Sequence, residues 1–207
     1  LALSLLAFLC IAPFTHDREA GARLLTYAVL TLVFITGPLA VARTRGQLIA
    51  TVALALLVLL TGIASARGEF EASYQYSLMA GIVFFSFLAG LLVRELLVRS
   101  TVVNSETLWG AINVYILIGL CFAFWYAALA VFEPELFSGN FMDEAHRNQL
   151  MGFVYFSFVT LTTLGYGDIT PSVTWVATLN YVEAIIGQLY VAIVIARLVS
   201  LYLADRQ

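Results

Sequence analysis

Charged residues are scarce in this chain. Of its 207 residues only 11% are Asp, Glu, Lys or Arg, whereas 62% are hydrophobic and the mean hydropathy is +0.96. A soluble domain usually carries about a quarter charged residues. So few charges cannot cover a water-exposed surface, which excludes a soluble globular enzyme. The net charge of −3 also argues against a nucleic-acid partner, because such a partner requires a basic patch.

Cysteine and histidine are equally rare. Cys10 and Cys121 lie inside apolar runs, where a thiol usually acts as a small hydrophobic group. His16 and His146 stand in polar segments without any metal-ligand spacing. No catalytic serine motif or HExxH motif is present. We therefore expect no disulfide, no metal centre, no cofactor and no enzymatic activity.

The hydrophobic residues are grouped in long runs of about 20 residues, the length that crosses about 30 Å of hydrocarbon. These runs predict an all-α membrane protein with spanning helices over 24–42, 47–66, 73–93, 108–132 and 173–203. The first run, at 1–12, reaches only about 18 Å at helical rise. Because the chain does not begin with Met, we expect this helix to begin before residue 1. The predicted total is six spanning helices.

A further apolar run, at 150–161, is too short to span and predicts a re-entrant half-helix. Arginines cluster in the turn at 43–46, in the link after the fourth helix and near the end of the last helix. Cytoplasmic loops are enriched in Arg, so both termini are predicted to be cytoplasmic and the half-helix to enter from outside. The segment 133–148 then lies outside. Its four acids either concentrate cations there or only keep the loop polar.

The residues after the half-helix have the composition of an ion-binding backbone. Gly165 and Gly167 alternate with larger residues, and glycine readily takes the left-handed φ values that other residues avoid. With such alternation, successive carbonyl groups point the same way. A column of carbonyls replaces the hydration shell of a monovalent cation, and the negative end of the half-helix dipole favours a cation at this place. The alternative is a Gly-rich turn between helices.

Residues 160–168 read TLTTLGYGD, which resembles the selectivity-filter motif TxxTxGYGD of tetrameric potassium channels. The resemblance covers about 108–203, whereas residues 1–107 resemble only the general four-helix plan of six-helix members. Leu164 stands where Val or Ile is commoner. We expect its carbonyl to serve the filter while its side chain packs behind it, so that selectivity is tuned rather than lost.

The resemblance implies a role for each filter residue. K⁺ would bind to the hydroxyl and carbonyl of Thr163 and to the carbonyls that follow it, in an ion-binding segment composed of Thr163, Leu164, Gly165, Tyr166 and Gly167. Asp168 would lie at the outer mouth. Tyr155 stands where many members place an aromatic residue that bonds to this Asp, and Tyr155 with Phe156 resembles part of an aromatic cuff that supports the filter.

Two residues of the last helix each leave two interpretations open. Gly187 stands where the family commonly has a gating hinge, although a glycine also permits close helix packing. Glu183 lies one turn earlier, where an intramembrane carboxyl group is costly. It either hydrogen-bonds behind the filter, as a protonated acid that couples the helix to the filter, or makes a structural bond to a residue such as Asn113 or Tyr115.

The fourth helix departs from the voltage-sensing members of the family. A voltage sensor needs several basic residues at every third position, but none occurs over 73–93, and Arg94 and Arg99 lie at the end of that helix. The partner acids are also missing, because none occurs between Ala20 and Gly68. We therefore expect a channel without intrinsic voltage sensing.

Together these patterns predict a homotetrameric K⁺ channel in a plasma membrane or bacterial inner membrane, with K⁺ and lipids as its partners. The predicted domains are a four-helix domain without sensor charges (1–99), a cytoplasmic linker (100–107) and a pore domain (108–207). Three alternatives stay open: a weakly selective cation channel, a subunit of a K⁺ uptake transporter, and a non-conducting scaffold that leaves the motif unexplained.

Overall fold

The computed structural model describes residues 1–15, 20–67, 73–96, 105–139 and 150–204. The described residues are mostly helical and include one short antiparallel pair of strands. The helices are α1 (Ala2–Thr15), α2 (Ala20–Val41), α3 (Arg45–Arg67), α4 (Ser73–Arg94), α5 (Ser105–Phe132), α6 (Leu150–Leu161) and α7 (Thr174–Ala204). A 3₁₀ turn (Pro134–Leu136) precedes β1 (Phe137–Ser138), which pairs with β2 (Thr170–Pro171).

Four of the described helices are long and apolar enough to cross a membrane. Their spanning segments are Arg45–Ser65, Ser73–Arg94, Thr107–Phe132 and Thr174–Arg197. These segments confirm an all-α membrane protein, while the total of six spanning helices stays a prediction. Helix α6, with 12 residues, begins and ends where the sequence predicted the half-helix. Its length of about 18 Å is too short for a bilayer.

Consecutive helices pack against one another along the chain, and one of these contacts joins α4 to α5. The core at this contact is aromatic. The ring of Phe85 lies 5.2 Å from that of Phe84 and 5.1 Å from that of Phe124. Phe34 of α2 joins the cluster, with its centroid 5.0 Å from that of Phe84. These rings fix the first helices to α5, which in turn holds the half-helix.

The basic turn predicted at 43–46 is shorter in the structure, because α3 already begins at Arg45. Thr44 Oγ1 accepts a hydrogen bond from Gln47 N, and Gln47 Oε1 accepts one from Thr44 N, each at 3.2 Å. This reciprocal pair is a capping box, which starts a helix directly after its first residue. Arg43 also lies 3.5 Å from Glu95. The turn and the end of α4 therefore lie at the same end of the bundle.

Several predictions fall on residues outside the described ranges. Among these residues are His16, His146, the acids at 143 and 144, and the arginines at 99 and 206. Most of the linker predicted at 100–107 is also outside them, since the described residues resume at 105. The domain boundaries, the orientation in the membrane and the role of the acidic segment therefore stay predictions.

Candidate functional site

The end of α6 turns its last carbonyl groups toward the backbone that follows. The N–H groups of Leu164 and Gly165 both donate to the carbonyl oxygen of Val159, at 2.9 and 3.2 Å. In a trans peptide the carbonyl of the preceding residue points opposite to the N–H group, and the described residues contain no cis peptide. The carbonyls of Thr163 and Leu164 therefore both point away from α6, toward the same side.

The backbone of this segment alternates in handedness. Positive φ angles occur at Thr163 (58°), Gly165 (57°) and Gly167 (74°), but not at Leu164 or Tyr166. The glycines take this conformation without a steric penalty, as their spacing predicted. Thr163 was not foreseen, because left-handed backbone costs a non-glycine residue about 1–2 kcal/mol. The backbone therefore alternates as the two glycines predicted, while its role in ion binding stays a prediction.

The side chains of the segment are not buried within the single chain. Leu164 is 56% exposed and Tyr166 is 66% exposed. The sequence led us to expect Leu164 to pack behind the filter, and within one chain it does not. The reason is geometric: residues 164–167 lie at the surface of the single chain, so the side chains of Leu164 and Tyr166 project from it.

Asp168, directly after the 163–167 segment, is held to α6 by a hydrogen bond between two side chains. Tyr155 Oη donates to Asp168 Oδ2 at 2.6 Å, and the N–H of Ile169 donates to Asp168 Oδ1 at 3.1 Å. The ring of Tyr155 also stacks on that of Tyr166, with centroids 6.5 Å apart and planes 10° apart. The pair therefore bridges the helix before the segment and the residue directly after it, while its role in ion conduction stays a prediction.

Phe156 does not share this position with Tyr155. It is buried, and its ring contacts those of Tyr126 (5.0 Å) and Phe137 (5.8 Å), on the side of α6 that faces α5 and β1. Within one chain Phe156 contacts α5 and β1 instead of the filter residues, and the aromatic cuff of Tyr155 and Phe156 stays a prediction. Adjacent residues of a helix point about 100° apart, so only Tyr155 of the two faces the filter segment.

A short antiparallel strand pair, β1 with β2, contacts the chain directly after residues 163–168. Phe137 pairs with Pro171 and Ser138 with Thr170. The N–H of Ser172 also donates to the carbonyl of Leu136 at 2.8 Å. The residues after the filter segment are therefore tied to the chain that leaves α5. This contact between residues far apart in sequence has no local pattern that predicts it.

Glu183 of α7 is completely buried behind α6. Its Oε2 accepts a hydrogen bond from Tyr126 Oη of α5 at 2.7 Å, and its Oε1 lies 2.5 Å from Ser157 Oγ of α6. Ser157 Oγ also lies 2.7 Å from the carbonyl oxygen of Gly119. A serine has one hydroxyl hydrogen and two oxygen acceptors surround it. An ionised Glu183 and the Gly119 carbonyl therefore share the one hydroxyl hydrogen of Ser157, whereas a protonated Glu183 donates its own hydrogen to Ser157.

The predicted partners of Glu183, Asn113 and Tyr115, are wrong. Tyr115 Oη donates instead to the carbonyl of Leu161 at 3.4 Å, and its ring lies 5.8 Å from that of Tyr190. Asn113 Oδ1 is buried with no hydrogen-bond partner among the described residues. Helices α5 and α7 run antiparallel. Glu183, in the N-terminal third of α7, therefore meets Tyr126 near the C-terminal end of α5 instead of Asn113 or Tyr115 in its N-terminal half.

The contact between α7 and α6 is unusually close at Gly187. A Cβ atom at this position would lie 2.2 Å from the carbonyl oxygen of Leu161, the last residue of α6. Helix α7 continues through Gly187 without interruption. The structure therefore provides a packing reason for this glycine, while its role as a gating hinge stays a prediction.

The residues of α7 that face α6 form a polar and small-residue stripe, which the sequence analysis recognised only in part. Asn180 Nδ2 donates to Thr160 Oγ1 at 2.9 Å, and Gln188 Nε2 donates to Thr163 Oγ1 at 3.3 Å. Asn180, Glu183 and Gly187 are separated by three and four residues, the spacing of one helix face, and Gln188 directly follows Gly187 at the edge of this face. That periodicity is a sequence signal for Asn180, whereas no spacing in the sequence predicts the contact of Gln188.

A family model and a curated relative each match part of this chain. A family model described as "Ion channel" matches residues 120–204, from the second half of α5 to the end of α7. Protein LctB of Bacillus caldotenax is 33% identical over 101 residues, which are 45% of this chain and 71% of the relative. No solved structure matches the chain. The family match indicates a channel rather than an enzyme.

Proposed function

This chain belongs to the ion channel family, and we propose that it forms a homotetrameric, K⁺-selective pore. One observation carries the proposal: the carbonyls of Thr163 and Leu164 point to one side of the chain, because the next two N–H groups both bind Val159. Carbonyl oxygens arranged in this way replace the hydration shell of a monovalent cation. K⁺ then binds at Thr163, Leu164, Gly165 and Tyr166, in the segment that ends at Gly167.

The tetramer follows from the geometry of the column. One chain supplies oxygens from one side only, whereas a dehydrated cation needs them all round. Leu164, Tyr166 and most of the apolar face of α7 are exposed in the single chain, and neighbouring copies would cover them. We place the assembly in a plasma membrane or bacterial inner membrane, in contact with lipids and with both termini in the cytoplasm.

The test of selectivity is the reversal potential of the purified protein in a planar bilayer, with K⁺ on one side and Na⁺ on the other. We expect a value close to the K⁺ equilibrium potential. A current that reverses near zero would instead favour the weakly selective cation channel, in which Leu164 relaxes the filter. Gly110→Ala is the matched control for filter variants, because nothing lies within 4 Å of a Cβ at Gly110.

Two alternatives predict different results in the same bilayer. A subunit of a K⁺ uptake transporter would move K⁺ without discrete single-channel openings, and such subunits usually carry several filter loops in one long chain. A scaffold would pass no current under any condition. If the protein forms a pore, discrete unitary openings are expected, and their amplitude measures the single-channel conductance.

The same recordings test voltage dependence. The only basic residue in the described part of α4 is Arg94, which is exposed at the end of the helix. Moving one charge through the membrane contributes about 2.3 kcal/mol per 100 mV, so steep activation needs many charges that α4 does not carry. We expect open probability to change little with voltage, and steep activation would contradict this part of the proposal.

We further propose that Glu183 couples α7 to the filter. Its carboxyl group bonds Tyr126 of α5 and Ser157 of α6, so a shift of α7 is transmitted to the helix that precedes the filter. Glu183→Gln is a sharp test. The amide still donates to Ser157 and accepts from Tyr126, so folding is preserved, but it cannot release a proton. A changed open probability supports coupling through the carboxyl group, whereas unchanged gating favours a purely structural bond.

A further inference from the structure

The inner end of the filter segment receives a hydrogen bond from the last helix. Gln188 Nε2 donates to Thr163 Oγ1 at 3.3 Å. This contact depends on the close approach of α7 at the preceding residue, Gly187, where the backbone of Leu161 leaves no space for a Cβ atom. The last helix thereby delivers an uncharged amide to the first residue of the ion-binding segment.

Thr163 is the residue that needs such support. Its φ angle of 58° is left-handed, a conformation that is a genuine outlier for a β-branched residue. Its N–H donates to the carbonyl of Thr160 at 2.8 Å, and its hydroxyl donates to the carbonyl of Thr162 at 2.7 Å. The bond from Gln188 is the contact that reaches Thr163 from outside its own turn.

The hydroxyl oxygen of Thr163 has one lone pair free to bind an ion. A threonine hydroxyl has one hydrogen and two lone pairs. The hydrogen is given to the carbonyl of Thr162, and one lone pair accepts the hydrogen bond from Gln188. One lone pair is left, and its direction is set by the other two bonds. The hydroxyl is therefore a fixed oxygen ligand instead of a freely rotating one.

We propose that Gln188 is a positioning residue for the innermost K⁺ site, and that its amide sets the selectivity of that site through the Thr163 hydroxyl. The inference rests on the proposed function and names a determinant of the same filter. In the tetramer, four amides would surround the base of the filter. When this bond is lost, the hydroxyl rotates and can approach a smaller cation more closely, so the site discriminates less well against Na⁺.

The primary variant is Gln188→Met, which keeps an unbranched side chain of similar length but has no donor. We expect the K⁺ to Na⁺ permeability ratio to fall about three- to tenfold, which at about 1.4 kcal/mol per tenfold is about 0.7–1.4 kcal/mol, the size of one hydrogen bond. Tyr190→Phe is the matched control, since it removes another α7 hydrogen bond, to the carbonyl of Ala111, away from the filter. A wild-type ratio in Gln188→Met would overturn the proposal.

A double-mutant cycle separates positioning from a general effect on structure. In a Thr163→Val background, which has no hydroxyl, Gln188→Met is expected to cause no further change in permeability ratio, whereas in Thr163→Ser it retains its effect. Equal effects in both backgrounds would contradict the inference. If either Met variant fails to assemble, Gln188→Glu provides a second test. Its carboxylate accepts the Thr163 hydrogen instead of donating one, so the ratio must change here too.

The K⁺ selectivity of the pore and the positioning role of Gln188 are contradicted by different results. A wild-type protein that does not select K⁺ over Na⁺ would overturn the proposed function and this inference with it. A selective wild type whose ratio is unchanged in the Gln188 variants would overturn this inference alone. Melting of the assembled protein in detergent, compared with Tyr190→Phe, shows whether a lower ratio accompanies loss of stability, which the positioning role does not predict.

Discussion

The substitution Gly187→Ala separates the two interpretations of this glycine. A Cβ atom would meet the carbonyl oxygen of Leu161 at 2.2 Å, and the nearest Leu161 side-chain carbon at 3.0 Å. Because the obstacle is backbone at the end of α6, no side-chain rotation relieves it. To reach ordinary contact, α7 has to move from α6 by about 1 Å, in an interior packed as densely as an organic crystal.

Two opposing effects determine how much Gly187→Ala changes the free energy of folding. Overpacking of this kind costs about 1–3 kcal/mol, whereas replacing glycine by alanine inside a helix favours folding by about 0.5–1 kcal/mol. The net expectation is a loss of about 1 kcal/mol for each subunit, with an upper limit of about 2.5 kcal/mol. The displaced carbonyl belongs to Leu161, two residues before Thr163, so conductance should fall together with stability.

The assay is thermal melting of the assembled protein in detergent, followed by single-channel recording. Gly110→Ala is the control, because it adds the same methyl group to a spanning helix where nothing lies within 4 Å. We expect Gly110→Ala to melt at or above the wild-type temperature and Gly187→Ala below it. A Gly187→Ala variant with normal melting and conductance but a lower open probability would refute the packing argument and support a hinge.

Three further substitutions test the site. Gly165→Ala places a methyl group at a φ of 57°, which costs about 1–2 kcal/mol per subunit, and we expect loss of selective current while Gly110→Ala conducts normally. Tyr155→Phe removes the hydrogen bond to Asp168; shorter open times with unchanged melting are expected, and unaltered open times would show that the bond does not support the filter. Phe156→Ala empties a buried site and should destabilise the fold by about 3 kcal/mol, measured by melting, whereas a wild-type melting temperature would contradict its burial.

Hydrogen bonds connect α7 to α6 and to the filter residues, which is the route by which α7 would act on the filter in the proposed pore. Asn180, Glu183 and Gln188 each bond a residue of α6 or of the filter segment. Polar groups inside a membrane are costly unless they are paired, so these contacts hold α7 in one register against α6. A movement of α7 would thereby reach the second half of α6 and Thr163 at several points instead of at one.

Much of this protein follows from local sequence. The membrane class follows from composition, because 11% charged residues cannot cover a soluble surface. The limits of α6 follow from an apolar run bounded by polar segments, and the left-handed backbone at Gly165 and Gly167 follows from the one residue type that adopts it freely. The bond between Tyr155 and Asp168 was implied by the resemblance to potassium channels, and the structure contains it.

The tertiary structure alone decided which residues meet across helices. It placed Phe156 against Tyr126 rather than beside the filter, gave Glu183 its partners Tyr126 and Ser157, and brought Gln188 to Thr163. These contacts depend on the rotation and depth at which α5 and α7 pack on α6. A sequence records the period of each helix, but in an almost uniformly apolar helix many rotations bury similar side chains. Only the packed arrangement selects one of them.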